Sequence, residues 1–517
     1  MTVPLDLLMF AALMGAILLG YPVAFTIAGV AALFALLGAA LGQFDLSLLG
    51  ALGQRIFGVI TNDVLTAIPL FVLMGAMLEK SGVAEALLET MGRLFGRLRG
   101  GLGVSVVMVG ALLAASTGIV GATVAAMGMI ALPTMLRNGY DPRLGAGVVC
   151  AAGTLGQIIP PSTLLIILAE VMSSAFQQAQ YAQGLFTIQT ISVGQVFAAA
   201  LGPGLALVVL YALFMLARGW LTPDAAPAMR EAVDPPGAAE IAGAILPPVL
   251  LIVAVLGAVL GGVASPTEAA AVGAVGAILM AGLKAGAPRW LILSGALALM
   301  ALAVAAGAAP VRLQRSDVGP GGYALGALYL GLAGLGVAAL LAALRASARD
   351  GMLGTAATST MTLTAMIFAT ILTASVFSLV FVGLGGEARV AQIIAAMPGG
   401  ADGALLFTLL LIFAMGFFLD FVEITVILLP LVAPVLILLG HDPVWLATLI
   451  AVVLQTSFLT PPFGFSLFYL RGAAPPEVTT GHIYAGVAPF IALQLAAVAL
   501  IWFAPAFATW LPRALYG

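Results

Sequence analysis

Residues 153–162 read Gly-Thr-Leu-Gly-Gln-Ile-Ile-Pro-Pro-Ser, and this stretch decides the fold. It interrupts an apolar run from Leu144 to Val171, which as a helix rising about 1.5 Å per residue would cross a bilayer core of roughly 30 Å. The two consecutive prolines remove backbone donors and clash with carbonyls one turn earlier, so the helix should break in mid-membrane. Freed backbone groups at that depth are tolerated only against protein or a watery cavity. The break therefore predicts an ion or substrate site rather than a structural kink alone.

A second Pro-Pro pair interrupts an apolar run at residues 455–464, which read Gln-Thr-Ser-Phe-Leu-Thr-Pro-Pro-Phe-Gly. Five residues keep a constant offset of 301 between the two regions: Gly139, Asp141, Pro142, Pro160 and Pro161 reappear as Gly440, Asp442, Pro443, Pro461 and Pro462. The match includes the rare Pro-Pro pair. We interpret it as an internal duplication, the usual source of the two-fold architecture of a transporter.

The composition excludes a soluble protein. Of 517 residues, 63% are hydrophobic and 8% are charged, whereas about a quarter of the residues of soluble domains are charged. We predict an all-α polytopic membrane protein in a lipid bilayer, without a nucleic-acid partner. Cys150 is the single cysteine, so one chain cannot form a disulfide framework or a Cys-based metal cluster. We expect the N-terminal apolar run to be an uncleaved spanning helix.

Apolar segments and turns divide the chain into five regions. The run after residue 101 splits at Ser116-Thr117-Gly118 into arms of roughly 21 to 24 Å, which are too short for two crossings and predict a re-entrant hairpin. The predicted regions are N-terminal scaffold helices 1–62; repeat 1, 63–171, with hairpin 102–136 and broken helix 143–171; connecting scaffold helices 172–351 with an inserted pair 290–343; repeat 2, 352–471, with hairpin 404–437 and broken helix 443–470; and a C-terminal transmembrane helix 472–517.

The placement of Lys and Arg orients the chain. Cationic residues flank the first hairpin, which places its mouth in the cytoplasm: Lys80, Arg93, Arg97, Arg99, Arg137 and Arg143. The second hairpin then opens on the outer side, so the two repeats are inverted, as alternating access requires. Arg55 and the loop with Arg312 and Arg315 fall on the outer side against this trend.

Oxygen atoms dominate the chemistry expected at the breaks. Na⁺ prefers such ligands, and the hairpin tips and breaks bring together freed carbonyls, the carboxylate of Asp420 and several hydroxyls: Ser116, Thr117, Thr154, Ser162, Thr456, Ser457 and Thr460. Neither break contains Lys, Arg or His. An anionic substrate would therefore be held by half-helix N-termini, hydroxyls and bound cations.

Several polar residues also allow simpler interpretations. Asp420 either ligates a cation or caps the outgoing hairpin arm, and Glu423 faces a pore or completes a capping box. Asp141 and Asp442 are interpreted as helix caps ahead of proline. Ser265-Pro266-Thr267-Glu268 predicts a capping box at a helix start. We assign no role to His441 and His482.

The order of motifs resembles a known family. GYDP, GTLGQIIPPS, SPTEAAAVGA, MGFFLD, LLPLVAP, GHDP and LTPPFG follow one another as in the large membrane subunit of tripartite ATP-independent periplasmic (TRAP) transporters. The resemblance covers nearly the whole chain. It implies an elevator-type, Na⁺-coupled importer of the ion transporter superfamily, in the bacterial inner membrane. The implied partners are a small four-helix membrane subunit, a periplasmic substrate-binding protein and a small organic anion as substrate.

The same resemblance implies a set of Na⁺ ligands. They lie at the first hairpin tip, in its broken helix, and at their counterparts in the second repeat: Ser116, Thr117, Gly118, Thr154, Gly156, Pro160, Ser162, Asp420, Thr456, Ser457, Thr460, Pro461 and Gly464.

Three rival classes differ from this interpretation. An intramembrane aspartyl protease would need a GxGD motif, and a metalloprotease would need an HExxH motif. Neither motif occurs in the sequence, so we predict that the chain is not an enzyme. A channel would be built from symmetric filter rings, whereas paired hairpins suit moving gates. A carrier of related fold that works without a binding protein remains the alternative within transport.

Overall fold

The computed structural model describes residues 4–118, 120–229, 235–310 and 319–517, and of residues 114–117 only the backbone. The predicted loop with Arg312 and Arg315 therefore lies outside the described residues. All regular structure in the described ranges is helical. Ten of these helices are long and apolar enough to cross a membrane, or up to twelve if each bent pair counts as one span. The all-α polytopic class, with a helical hairpin and a broken helix in each repeat, is confirmed.

The N-terminal part consists of five helices. Asn62 closes the turn before the fourth helix, because its Oδ1 accepts hydrogen bonds from the backbone N–H groups of Val64 and Leu65. The helices are α1 (Leu5–Leu18), α2 (Val23–Ala40), α3 (Leu52–Ile60), α4 (Ala67–Lys80) and α5 (Val83–Phe95).

Helix α5 is shorter than the sequence indicates. The spacing of Leu87, Met91, Leu94 and Leu98 predicts a surface helix over residues 83–99 with these four side chains on one face. The observed helix ends at Phe95, so Leu98 lies beyond it and is 53% exposed. Leu87 and Met91 are buried, as the pattern predicts, but Leu94 is 38% exposed. The chain turns instead at Gly100, whose φ of +77° lies in the left-handed region that favours glycine.

Each repeat contains a hairpin followed by a broken helix. In repeat 1 these are α6 (Gly101–Thr117) with α7 (Val120–Arg137), then α8 (Pro142–Thr154) with α9 (Thr163–Ala182). In repeat 2 they are α17 (Gly400–Met415) with α18 (Phe421–Leu438), then α19 (Pro443–Leu459) with α20 (Phe465–Ala473).

Aspartate caps start both broken helices. The Asp141 carboxylate accepts a hydrogen bond from the backbone of Arg143, and Asp442 accepts from Val444 and Trp445. Proline occupies the first helical position in both, where its missing N–H costs nothing. The interpretation of these two aspartates as caps is confirmed, as is the capping box between Ser265 and Glu268.

The remaining helices lie outside the two hairpins and the two broken helices. Between the first broken helix and the second hairpin lie α10 (Val193–Leu221), α11 (Ala238–Leu260), α12 (Pro266–Lys284), α13 (Arg289–Ala308), α14 (Pro320–Arg349), α15 (Met352–Gly383) and α16 (Gly386–Ala395), of which the last two fall within the predicted repeat 2. After them come α21 (Thr480–Phe503) and α22 (Ala506–Tyr516). In each of α11, α13 and α14, only 17% of the apolar 18-residue segment is buried within the chain. These helices therefore offer an apolar surface to lipid or to another subunit.

Helix α8 crosses α21 at backbone contact. Every residue of α8 from Leu144 to Thr154 is buried. A Cβ added to Gly147 would overlap the Gly486 backbone, and one added to Gly486 would overlap the carbonyl of Arg143. Close approach through small residues is the usual way in which membrane helices pack tightly. The glycine pair therefore fixes the first broken helix against the C-terminal helix.

We predict that Gly147→Ala lowers the free energy of unfolding by about 1 to 3 kcal/mol, since the added methyl group must push two backbones apart. Thermal unfolding of the purified protein in detergent measures the change. Gly334→Ala is the matched control, because Gly334 also lies in a helix but has open space around it. Equal melting temperatures for the two variants would contradict the backbone contact.

Candidate functional site

The tip of the first hairpin lies against the first helix break. Helix α8 ends at Thr154, a single 3₁₀ turn covers Leu155–Gln157, and α9 begins only at Thr163. A Cβ placed on Gly118 would lie 3.0 Å from the Thr163 nitrogen and 3.1 Å from its hydroxyl oxygen. Gly118 also has a φ of +61°. The tip therefore needs glycine both for its backbone conformation and for its approach to the start of α9.

The second repeat has the same arrangement. Helix α19 ends at Leu459 and α20 begins at Phe465, so the chain is not helical around its Pro-Pro pair. Gly416 ends the first arm of the second hairpin, and a Cβ added there would overlap the hydroxyl of Ser457. Each tip thus lies against the edge of the break of its own repeat, and we call these pairs tip–break unit 1 (Gly118 with residues 155–163) and tip–break unit 2 (Gly416 with residues 456–464).

The two units also interlock. The second half of each broken helix packs against the outgoing hairpin arm of the other repeat: α20 against α7, and α9 against α18. At the first of these contacts the ring of Tyr469 lies on Gly121 so closely that a Cβ would overlap it. The packing joins the two repeats into one body.

The hydroxyls of unit 2 all donate to carbonyls of their own helix. Thr456 donates to Val452, Ser457 to Leu454 and Thr460 to Thr456, each over 2.7 Å. A hydroxyl that donates its hydrogen to a carbonyl still has lone pairs, and these can accept a hydrogen bond or bind a cation. Gly464 closes the loop, its N–H donating to the carbonyl of Thr460 over 3.1 Å.

Two hydroxyls at the first break also donate to carbonyls of nearby residues. The Ser162 hydroxyl donates to the Gln157 carbonyl over 2.9 Å, and Thr154 donates to the Ala151 carbonyl over 2.8 Å. Gly156 lies within the 3₁₀ turn, and the Pro160-Pro161 bond is cis, as is Pro461-Pro462. The side chains of Ser116 and Thr117 lie outside the described residues.

Thr154 connects the two repeats. Its hydroxyl oxygen accepts from the side-chain amide of Gln455 at 3.4 Å and from that of Gln494 at 3.5 Å. Thr154 and Gln455 occupy equivalent positions, since they are separated by the repeat offset of 301. All three side chains are buried. The sequence interpretation missed the role of Gln494, although a glutamine within an apolar spanning helix is itself a signal of a buried polar contact.

Two further polar residues in unit 1 were not predicted as site residues. Gln157 and Thr163 are 0% and 1% exposed, and within the described part of the chain no hydrogen-bond partner reaches the Gln157 amide or the Thr163 hydroxyl. Leaving such groups unpaired in a buried site is costly. Unit 1 therefore offers a donor and acceptors that a bound ion or substrate would satisfy.

Asp420 adopts the capping geometry. Its carboxylate accepts from the Phe421 N–H over 2.8 Å at the start of α18, so one of its two interpretations is observed directly. The cap uses one oxygen and leaves the other available. Glu423, one turn further, is 7% exposed, and its Oε2 has no partner among the described residues. A π-helical turn, Ile424–Leu428, follows it, and such turns are frequent at functional sites.

The chain is similar to known transport proteins. Residues 9–311 and 323–507 match the family described as "Tripartite ATP-independent periplasmic transporter, DctM component". The C4-dicarboxylate TRAP transporter large permease protein DctM of Vibrio cholerae is 27% identical over 99% of this chain and 98% of its own length. The isethionate TRAP transporter permease protein DctMQ of Oleidesulfovibrio alaskensis is 26% identical, over 95% of this chain and 64% of its own length.

A solved structure shares the fold. The YdaH transporter of Alcanivorax borkumensis matches with a TM-score of 0.54 and 18% identity, over 90% of this chain and 89% of that chain. At this level of identity the similarity extends to the fold alone.

We predict that Thr154→Val destabilises the protein by about 1 to 3 kcal/mol, since it leaves two buried amide groups without their common acceptor. Thermal unfolding again provides the measurement. Thr358→Val is the control, because the Thr358 hydroxyl is exposed and donates only to Gly354 of its own helix. If both variants unfold at the same temperature, the contact between the repeats through Thr154 does not stabilise the fold.

Proposed function

Since the chain belongs to the DctM component family of TRAP transporters, as a large membrane subunit, we propose that it imports a small organic acid by Na⁺-coupled, elevator-type alternating access. The family resemblance in the sequence is confirmed by this membership. Membership supports secondary transport of organic acids together with a binding protein. The relatives are named as transporter permeases, which supports transport rather than catalysis.

The observation that carries the proposal is the pair of tip–break units. Ser162 in unit 1 and Thr456, Ser457 and Thr460 in unit 2 donate their hydroxyl hydrogens to backbone carbonyls, so the lone pairs of these four oxygens are the atoms available to a ligand. Na⁺ binds hydroxyl and carbonyl oxygens of this kind, and broken helices supply them in several transporter designs. The Na⁺ ligands named from the sequence stay predictions.

The half-helices favour an anion beside the cation. Helix α9 begins at Thr163 and runs for 20 residues, so its first N–H groups carry a partial positive charge directly at break 1. A carboxylate held there would lie next to the unpaired amide of Gln157, which can donate to it. Bound Na⁺ would supply the remaining positive charge, so substrate binding would depend on the ion.

The packing favours movement of the repeats as one body. Because α20 packs on α7 and α9 on α18, a tip cannot leave its break without disrupting the other repeat. A rigid body that carries both sites past surrounding helices would expose them to one side at a time, as an elevator does. The proposed partners are a small four-helix membrane subunit and a periplasmic binding protein, and the proposed location is the bacterial inner membrane.

We expect uptake to need both Na⁺ and the binding protein. Proteoliposomes with this chain and its small subunit receive an inward Na⁺ gradient or a pH gradient, each with and without the candidate binding protein and the organic acid that it carries. Accumulation only with the Na⁺ gradient and the binding protein is the expected result. Uptake without the binding protein would mean a direct carrier of related fold, and uptake driven by pH alone would remove Na⁺ from the proposal.

We further expect Asp420→Asn to raise the Na⁺ concentration for half-maximal uptake about tenfold or more, since a charged ligand contributes at least about 1.5 kcal/mol. Asparagine caps helices as well as aspartate does, so the fold should survive the change. Asp442→Asn is the matched control, since Asp442 caps α19 away from the breaks. Equal Na⁺ dependence of both variants would show that Asp420 acts only as a cap.

A further inference from the structure

A cavity of about 400 Å³ with a mixed polar and apolar lining lies against helix α9. Its walls come from α3, α9, α15 and the outgoing arm α18, so it is bounded by N-terminal scaffold on one side and by both repeats on the other. Glu170 on α9 lies eight residues after Ser162, or about 12 Å further along the helix. The predicted orientation of the chain places Arg55 on the outer side of the membrane, although a cationic residue there goes against the overall trend. We call this cavity the chamber; it is separate from the breaks and, in the predicted orientation, lies on the outer side.

Two opposite charges face this chamber without forming an ion pair. Arg55 on α3 is exposed, and among the described residues no carboxylate lies within ion-pair distance of it. Glu170 is half-buried on the opposite wall, where its Oε1 accepts from the Asn62 side-chain amide over 2.7 Å. Its other oxygen makes no hydrogen bond to a described residue. The chamber therefore has one cationic and one anionic group available to a ligand.

The other walls suit a small polar solute. Ser174, Ser375 and Ser378 contribute hydroxyls, and Leu65, Ile371 and Val426 contribute apolar surface. Gln178 also lines the cavity, and its amide donates to Glu387 over 2.9 Å. Glu387 is not part of the cavity wall, but it adds a second carboxylate near its edge. A volume of this size lies in the range of small-molecule sites.

We infer that this chamber is a receiving site for a small zwitterion of the amino-acid type. The carboxylate of the ligand pairs with Arg55, and its cationic group pairs with Glu170, before the ligand moves on to the breaks. A guanidinium binds a carboxylate through two parallel hydrogen bonds, and Glu170 is held in place by Asn62 for the opposite contact. The inference rests on the proposed function, because it names the class of organic acid that the transporter admits.

The charges of the chamber disfavour the simpler ligands. An acid without a cationic group would leave Glu170 facing its negative charge, and an amine without a carboxylate would leave Arg55 facing its positive charge. Like charges at close range disfavour binding, so the unpaired charges select for a ligand that carries both signs.

The test measures binding to the full chain in lipid nanodiscs, with neither binding protein nor Na⁺ gradient. The probes are glycine, β-alanine, γ-aminobutyrate and ε-aminocaproate, which separate the two charges by increasing distances. The controls are the alkyl carboxylate and the alkylamine of the same length as the best probe. We expect one zwitterion to bind at least about tenfold more tightly than either control, the effect of one charge-assisted contact.

Substitutions assign each contact. In Arg55→Gln, the zwitterion should no longer bind more tightly than the alkylamine. In Glu170→Gln, the zwitterion should no longer bind more tightly than the alkyl carboxylate. Arg513→Gln and Glu477→Gln, both exposed and distant in the chain, are the controls and should change neither ratio. Equal binding of zwitterion and carboxylate, or ratios unaffected by both chamber variants, would overturn the inference. Absence of binding by every probe would overturn it as well.

The binding test in nanodiscs and the uptake test of the proposed function can fail separately. Na⁺-dependent uptake in proteoliposomes tests the breaks and the partners, whereas the nanodisc measurement involves neither. If uptake behaves as proposed and no zwitterion is preferred, only the receiving site fails. If the zwitterion binds through Arg55 and Glu170 while uptake ignores Na⁺, the coupling proposal fails and the chamber stands.

Discussion

The requirement that buried backbone groups find partners governs this structure. Two spanning helices stop and restart inside the protein, at Pro160-Pro161 and Pro461-Pro462, and each interruption frees N–H and C=O groups. The tip of a hairpin lies against the edge of each gap. Gly118 and Gly416 lie at those tips because a side chain would collide with Thr163 and Ser457. Everything else in the two repeats keeps these tips in place.

The residues around the two breaks retain hydroxyl lone pairs and backbone N–H groups that can bind a ligand. Ser162, Ser457 and Thr460 donate to backbone carbonyls near the breaks and keep their lone pairs, while α9 and α20 begin with N–H groups that no preceding turn can use. Oxygen lone pairs attract a cation, and helix N-termini attract an anion. The broken helices thus contain groups suited to a cation and to an anion, which supports the proposed coupled import of an organic acid.

Local sequence signals predict much of the fold and less of the site. The Pro-Pro pairs, the aspartate caps and the capping box at Ser265 act over a few residues, so their consequences are readable from the chain. The amides of Gln455 and Gln494 meet at Thr154, and Gly147 meets Gly486, only because distant helices cross there. The chamber between Arg55 and Glu170 likewise depends on how α3 and α9 pack. The early end of α5 at Phe95 shows that an apolar stripe does not fix a helix boundary.

Simultaneous measurement of Na⁺ and substrate flux tests the central claim most directly. Proteoliposomes containing both membrane subunits and the loaded binding protein receive radiolabelled Na⁺ together with differently labelled organic acid. The account predicts that Na⁺ enters in a fixed ratio to the acid and that both fluxes stop when the binding protein is omitted. Entry of the acid without accompanying Na⁺ would contradict the assignment of the two tip–break units as coupling-ion sites.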